Sequence, residues 1–145
     1  MPEIQRRLAT ILATDCVGYS ALMVKNEVGV LESVKAGRTI IETTINEYGG
    51  RVFNTAGDSV IAEFNSPVDC VNAAIDFQTL LSDRNNTAKD IIGMDFRVGI
   101  HLDDVIIEGD DIFGNGVNIA ARLESVCDPG EIVISENVHQ YIIKK

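Results

Sequence analysis

The chain has 145 residues, 46% of them apolar and 23% charged. This is ordinary for a soluble globular protein and enough for a single domain over residues 1–145. A net charge of −10 leaves no basic stripe for phosphate neutralisation, which argues against a nucleic-acid partner. No apolar run is long enough to span a bilayer, and Met1–Arg7 is no signal peptide. Cys16, Cys70 and Cys127 lack CxxC spacing. They point to a reducing compartment, hence a cytoplasmic protein or the cytosolic domain of a larger one.

In chain order, Leu8 to Asp15 reads as a strand buried on both faces, followed by a loop over 20–27. From about Val28 a helix is expected, with Leu31, Val34, Ile41, Ile45 and Tyr48 on its apolar face and Gly49 as C-cap. Arg51 to Asn54 and Ser59 to Phe64 read as a hairpin about the turn Thr55–Asp58. Ser66, Pro67 and Asp69 start a second helix that runs to roughly Leu81 and buries Cys70, Val71, Ala74, Ile75, Phe77 and Leu81.

Residues 82–92 are polar and read as a mobile connection. Met94 to Asp103 and Val105 to Glu108 read as two strands joined by a tight turn, then 110–116 as a loop. A helix over Val117–Ser125 is expected to bury Val117, Ala121 and either Leu123 or Ile119. A strand Glu131–Ile134 and a short helix capped by Ser135 end the chain. The order βαββαβ, then β, α, β, α, predicts an α+β fold. It is a ferredoxin-like core with a mixed sheet, extended by further strands and helices, the helices on one face. With no final strand after the last helix, the sequence reads as a domain trimmed at its C-terminal end.

Chemistry enters at the strand ends. Asp15 closes a buried strand, where a carboxylate needs a positive neighbour, and Gly18, Tyr19 and Ser20 follow with backbone N–H groups suited to phosphate. A single acid of this kind also reads as a loop cap. The second acid changes the balance. After a helical crossover the hairpin runs up in the direction of the first strand, so Asp58 in its turn reaches the same sheet edge as Asp15. Two carboxylates beside a phosphate-friendly loop fit two Mg²⁺ or Mn²⁺ ions holding a nucleotide. Asn118 and Arg122 lie four apart on one helix face.

Asp15-Cys16-Val17-Gly18-Tyr19-Ser20, Asn54-Thr55-Ala56-Gly57-Asp58, Phe96-Arg97-Val98-Gly99-Ile100-His101 and the run from Asp111 to Glu124 occur in that order. Together they resemble the class III nucleotidyl cyclase catalytic domain, bacterial adenylate cyclases in particular, from about Leu8 to Glu136. The resemblance implies the nucleotide cyclase fold and conversion of ATP to 3′,5′-cyclic AMP and pyrophosphate. It implies metal binding by Asp15, Cys16 and Asp58, and phosphate contacts from the loop Cys16–Ser20, including Gly18, Tyr19 and Ser20. Asn118 would orient the ribose, Arg122 would stabilise the α-phosphoryl group in the transition state, and Asp111 would accept from the adenine amino group. It further implies a homodimer whose composite sites take metal residues from one subunit and Asn118, Arg122 and base-reading residues from the other.

Two departures from the family pattern bear on function. The adenine-reading lysine of many members falls at Asn54, whose amide both donates and accepts, so ATP is preferred over GTP without GTP being excluded. The family usually continues beyond this C-terminus, with a basic residue that contacts phosphates. Two alternatives therefore stand beside an adenylate cyclase: a guanylate cyclase, and a catalytically weak or inactive nucleotide-binding or dimerising module. A phosphoacceptor receiver domain would want adjacent acids after the first strand and a late strand-end lysine, which are lacking. Asp103, Asp104, Glu108 and Asp110 read as solvated turn residues, His101 and His139 as lone histidines, and Arg97 as a core ion-pair former.

Overall fold

The computed structural model describes residues 5–87 and 91–144. Its elements are β1 (Gln5–Cys16), α1 (Tyr19–Lys25), α2 (Glu27–Glu47), β2 (Arg51–Ala56), β3 (Ser59–Phe64), α3 (Pro67–Thr87), β4 (Phe96–Glu108), β5 (Asp111–Phe113), α4 (Asn115–Ser125), β6 (Ile132–Ile134) and α5 (Glu136–Ile142). The sheet order is β2-β3-β1-β4-β5, with β6 added parallel to β4. This is the mixed sheet of an α+β fold. All the other pairings are antiparallel, which also rules out the parallel sheet of a receiver domain.

β1 lies at the centre because every residue from Ala9 to Thr14 is buried. Leu12 and Cys16 face a core built with α2, α3 and the near end of β4, around Ile41, Phe77 and Phe96. Ala9, Ile11 and Ala13 face the other way, into a smaller cluster with Val105, Ile112 and Ala120 of α4. Helices therefore cover both faces, not one. The two-sided burial of β1 requires this, since a strand apolar on both faces needs a cover on each.

Several element bounds differ from expectation. A short helix, α1, occupies most of the predicted loop; it starts at Gly18, whose φ of +73° suits a residue without a side chain. Asn26 caps α2 by accepting from the Gly29 N–H at 3.0 Å. In α2, Val30 is fully buried and Leu31 is exposed. Ser66 caps α3 as predicted, accepting from the Asp69 N–H at 3.2 Å. That helix continues to Thr87, so only 88–92 of the predicted connection is left, and 88–90 lie outside the described residues. Ile75 is exposed, and Ala73 takes the buried position expected of it.

β4 is a single strand through Asp103 and Asp104, paired with β1 without interruption from Gln5↔Ile107 to Cys16↔Phe96. Cross-strand pairing thus overrides the acidic pair that suggested a turn. The sheet also curls over the α4 face. Arg51, on the edge strand β2, donates from Nη1 to the carbonyl of Asp110 at the far edge, 3.0 Å away. On that face Arg7 and Arg51 both pair with the buried Glu63.

Candidate active site

The β1–β3 register runs to Thr14↔Val60, which places the β2–β3 turn beside the end of β1. The Cys16 N–H donates to Asp58 Oδ2 at 2.9 Å, so Asp15 and Asp58 occupy the same sheet edge. β2 does run in the direction of β1, with β3 between them. Arg97 is the direct cross-strand partner of Asp15. Its Nε and Nη2 donate to Asp15 Oδ1 at 3.1 and 2.9 Å, and Nη2 also to Oδ2 at 3.1 Å. Arg97 is half-buried at the sheet edge, so it forms the expected ion pair but not in the core.

Glu124, at the end of α4, approaches the same Arg97 nitrogen, with Oε1 3.4 Å from Nη2. Burial, and then the proximity of Asp15, pushes its carboxyl up to about 8. Burial together with Asp58 and Asp15 pushes the Cys16 thiol up to about 12. That side chain packs in the larger core. With its side chain in the core, Cys16 would offer a hard cation its backbone carbonyl oxygen. Two carboxylates and a carbonyl oxygen match hard cations, which keep water in their remaining positions. Among the described residues no group of three or more His, Cys, Asp or Glu side chains forms a metal cluster. The all-oxygen donor set fits Mg²⁺ or Mn²⁺.

Gly18 precedes α1, and its carbonyl accepts the first helical bond, from the Leu22 N–H at 3.0 Å. The N–H groups of Tyr19, Ser20 and Ala21 then open the helix next to Asp15, where a helix start lacks internal acceptors. Tyr19 packs against the larger core while Ser20 is exposed.

The second group of predicted residues is placed elsewhere. α4 buries Gly116, Ala120 and Glu124, a stripe at four-residue spacing, and Ala121 is exposed, contrary to expectation. Asn118 and Arg122 are exposed. Each stands two residues from a buried position, about 200° around the helix from its seat on the sheet. Among the described residues neither side chain has a hydrogen-bond or ion-pair partner. The structure therefore brings Asp15 and Asp58 together and leaves Asn118 and Arg122 on the outer side of α4. Asn54 is exposed on β2 just past a bulge at Phe53, paired with Ile61. Asp111 is exposed at the start of β5, its Oδ1 accepting from the Ile112 N–H at 2.9 Å. No hydrogen bond links Asn54 to Asp111.

A family model for the adenylate and guanylate cyclase catalytic domain matches residues 3–145. The chain belongs to this family. It is 40% identical to a putative adenylate cyclase 3 of Rhizobium meliloti over 97% of its length and 24% of that protein's. It is 31% identical to an adenylate cyclase of Streptomyces coelicolor over 97% of its length and 35% of that protein's. The chain thus spans between a quarter and about a third of these relatives. A solved adenylate/guanylate cyclase/hydrolase from Silicibacter pomeroyi superposes with a TM-score of 0.89 at 37% identity, covering 98% of this chain and 83% of that one. This nucleotidyl cyclase domain has no helix, among its described residues, long and apolar enough to cross a membrane.

Arg97 was not among the expected site residues. The available signal was the pairing of β1 with β4: once those strands are set side by side, Arg97 falls opposite Asp15.

Proposed function

We propose that this domain is an adenylate cyclase acting as a homodimer with two composite sites. One observation carries the reading: Asp15 and Asp58 share one sheet edge, whereas the unpartnered Asn118 and Arg122 lie on the outer side of α4. Asn118 and Arg122 project from the side of α4 opposite its seat on the sheet, where across a two-fold axis each chain would supply what the other lacks. The naming of the relatives from Rhizobium meliloti and Streptomyces coelicolor as adenylate cyclases supports ATP as the substrate.

Two Mg²⁺ or Mn²⁺ ions held by Asp15, Asp58 and the Cys16 carbonyl would supply Lewis-acid activation of the ribose 3′-hydroxyl and neutralise the triphosphate. The chain's residues do the rest. The Cys16 N–H fixes the Asp58 carboxylate, and the first N–H groups of α1 receive phosphate oxygens. From the partner, Asn118 orients the ribose and Asp111 accepts from the adenine amino group. The 3′-oxygen forms its bond to the α-phosphorus as the bond to the pyrophosphate oxygen breaks. Pyrophosphate leaves with that electron pair, and the hydroxyl proton passes to water. Arg122 faces the charge that develops on the α-phosphoryl oxygens, a task for a rigid planar donor. Asn54 favours one further reading, in which GTP is also accepted, because its amide can turn either edge to the base. A cytoplasmic location accords with the three buried free cysteines.

The test is complementation. Asp58→Ala and Arg122→Ala chains are each inactive alone with ATP and Mn²⁺. Mixed in equal amounts they form half heterodimers, so about a quarter of the sites are wild type. Cyclic AMP formed by the mixture supports the reading. Activity held at the single-variant level after demonstrated subunit exchange overturns it.

A further inference from the structure

α4 rests on β4 across two glycines, one on each element. Gly99 sits near the start of β4, flanked by Ala13 of β1 and Val133 of β6. A Cβ placed on it would overlap the Ala120 carbonyl oxygen and the Glu124 backbone nitrogen and lie 3.0 Å from Glu124 Cα. These are backbone atoms of α4, which no side-chain rotation can move aside. At the other end of the helix a Cβ on Gly116 would lie 3.0 Å from the Cβ of Asp103, a milder conflict with a side chain. The contact surface is the small-residue stripe of Gly116 and Ala120, and the last turn is tied down where Arg97 Nη1 donates to the Ser125 carbonyl at 3.2 Å.

The height of α4 above the sheet is therefore set by the missing side chain at Gly99. That height also sets how far Asn118 and Arg122 project, because they stand on the opposite side of the same rigid helix. We infer that Gly99 is a positioning residue for the partner's active site, with Gly116 contributing the same spacing at the helix start. This rests on the shared-site reading above. Adding one methyl at Gly99 lifts the last two turns of α4 by about 1 Å, a displacement of reacting groups that costs on the order of 10² in rate. The carboxylates of the same chain stay where β1 and the β2–β3 turn hold them.

The consequence has a polarity that a general loss of stability lacks. Gly99→Ala homodimers are expected to fold by circular dichroism, to retain Mn²⁺ binding by electron paramagnetic resonance, and to lose about 10²-fold in cyclic AMP formation. Mixed with Asp58→Ala they regain activity, because the intact carboxylates of one chain meet the intact α4 of the other. Mixed with Arg122→Ala they do not, since every α4 in the mixture is then impaired. Parent activity of Gly99→Ala alone, rescue by Arg122→Ala, or a folded Mn²⁺-binding chain that Asp58→Ala fails to rescue would overturn the assignment. If Gly99→Ala does not fold, Gly116→Ala decides, since alanine in place of a helical glycine favours the helix. It must show the same polarity with a smaller loss, and a variant without that polarity overturns the assignment too. The Asp58→Ala and Arg122→Ala pair serves as control throughout. Absence of rescue in that pair overturns the shared-site reading, and the Gly99 assignment with it, whereas rescue there isolates any failure to Gly99.

Discussion

Asp15 and Arg97 face each other across the β1–β4 ladder, and the guanidinium grips both oxygens of the carboxylate at 2.9 to 3.1 Å. This pairing compensates an acid at the end of a buried strand. It also sets a condition on cation binding, because the same oxygens serve either the guanidinium or a metal. Arg97 has somewhere to go, since the Ser125 carbonyl and the Glu124 carboxyl lie on its other side.

Competition at Asp15 predicts opposite effects for the two residues. Replacing Arg97 with glutamine removes one unit charge a few ångströms from the cation, and should tighten nucleotide-free Mn²⁺ binding roughly fivefold to tenfold. Asp15→Ala should abolish that binding, and metal-dependent turnover with it, while the far-ultraviolet spectrum stays unchanged. Titration of Mn²⁺ followed by electron paramagnetic resonance measures both. Weaker binding by Arg97→Gln would show that the guanidinium does not compete.

Arg122 makes a different prediction, because among the described residues its side chain has no partner whose loss could unsettle the fold. Arg122→Ala should lower kcat by roughly 10²–10³ with little change in nucleotide affinity, as for loss of one transition-state charge donor. Its melting temperature should match the parent's. Steady-state kinetics set against a thermal melt decide the point, and an unchanged kcat removes Arg122 from the chemistry.

The placement of Asp15 and Asp58 at one sheet edge could be read in the sequence because both lie at element ends with a clear local signature. The strand run into Asp15, the hairpin turn at Asp58 and the four-residue spacing of Asn118 and Arg122 depend only on short-range pattern. What the pattern did not show depends on contacts between distant segments. Arg97 becomes a site residue only through its register with β1. The buried face of α4 was misassigned because its seat is made of Gly116, Ala120 and Glu124, a small, weakly apolar stripe that periodicity cannot distinguish. The acidic Asp103-Asp104 pair suggested a turn, yet the ladder with β1 carries the strand through it.

Glu124 ties stability to pH. Its folded-state carboxyl is raised to about 8 by burial and by Asp15, above the ordinary 4.5. Between those values the folded chain holds more protons than the unfolded one, so stability falls as pH rises from 4.5 toward 8. Below that window the group is protonated in both states and costs nothing. Metal-free Glu124→Gln should lack this slope and gain in melting temperature over the parent progressively from pH 5 to 8.5. Parallel melting curves for the two proteins across that range would show that Glu124 does not titrate there.

Under the proposed function, base choice would rest on Asp111, because the Asn54 amide can serve either base. The Asn54 amide can donate to adenine N1 or, turned over, accept from the guanine N1–H, so it supplies a hydrogen bond to either base. Asp111 cannot adapt. Its carboxylate accepts from the adenine amino group but meets the guanine carbonyl oxygen as acceptor against acceptor. An asparagine there could donate to that oxygen. Asp111→Asn alone should then shift the ratio of kcat/KM for ATP over GTP by about tenfold toward GTP, because the amide gains a hydrogen bond to the guanine oxygen while its own oxygen still accepts from the adenine amino group. Asn54→Lys should move the ratio the opposite way, because a lysine donates and cannot accept from guanine N1–H. Measuring both nucleotides with both variants separates the two contributions. A ratio that ignores Asp111→Asn would place base recognition on other residues of the composite site.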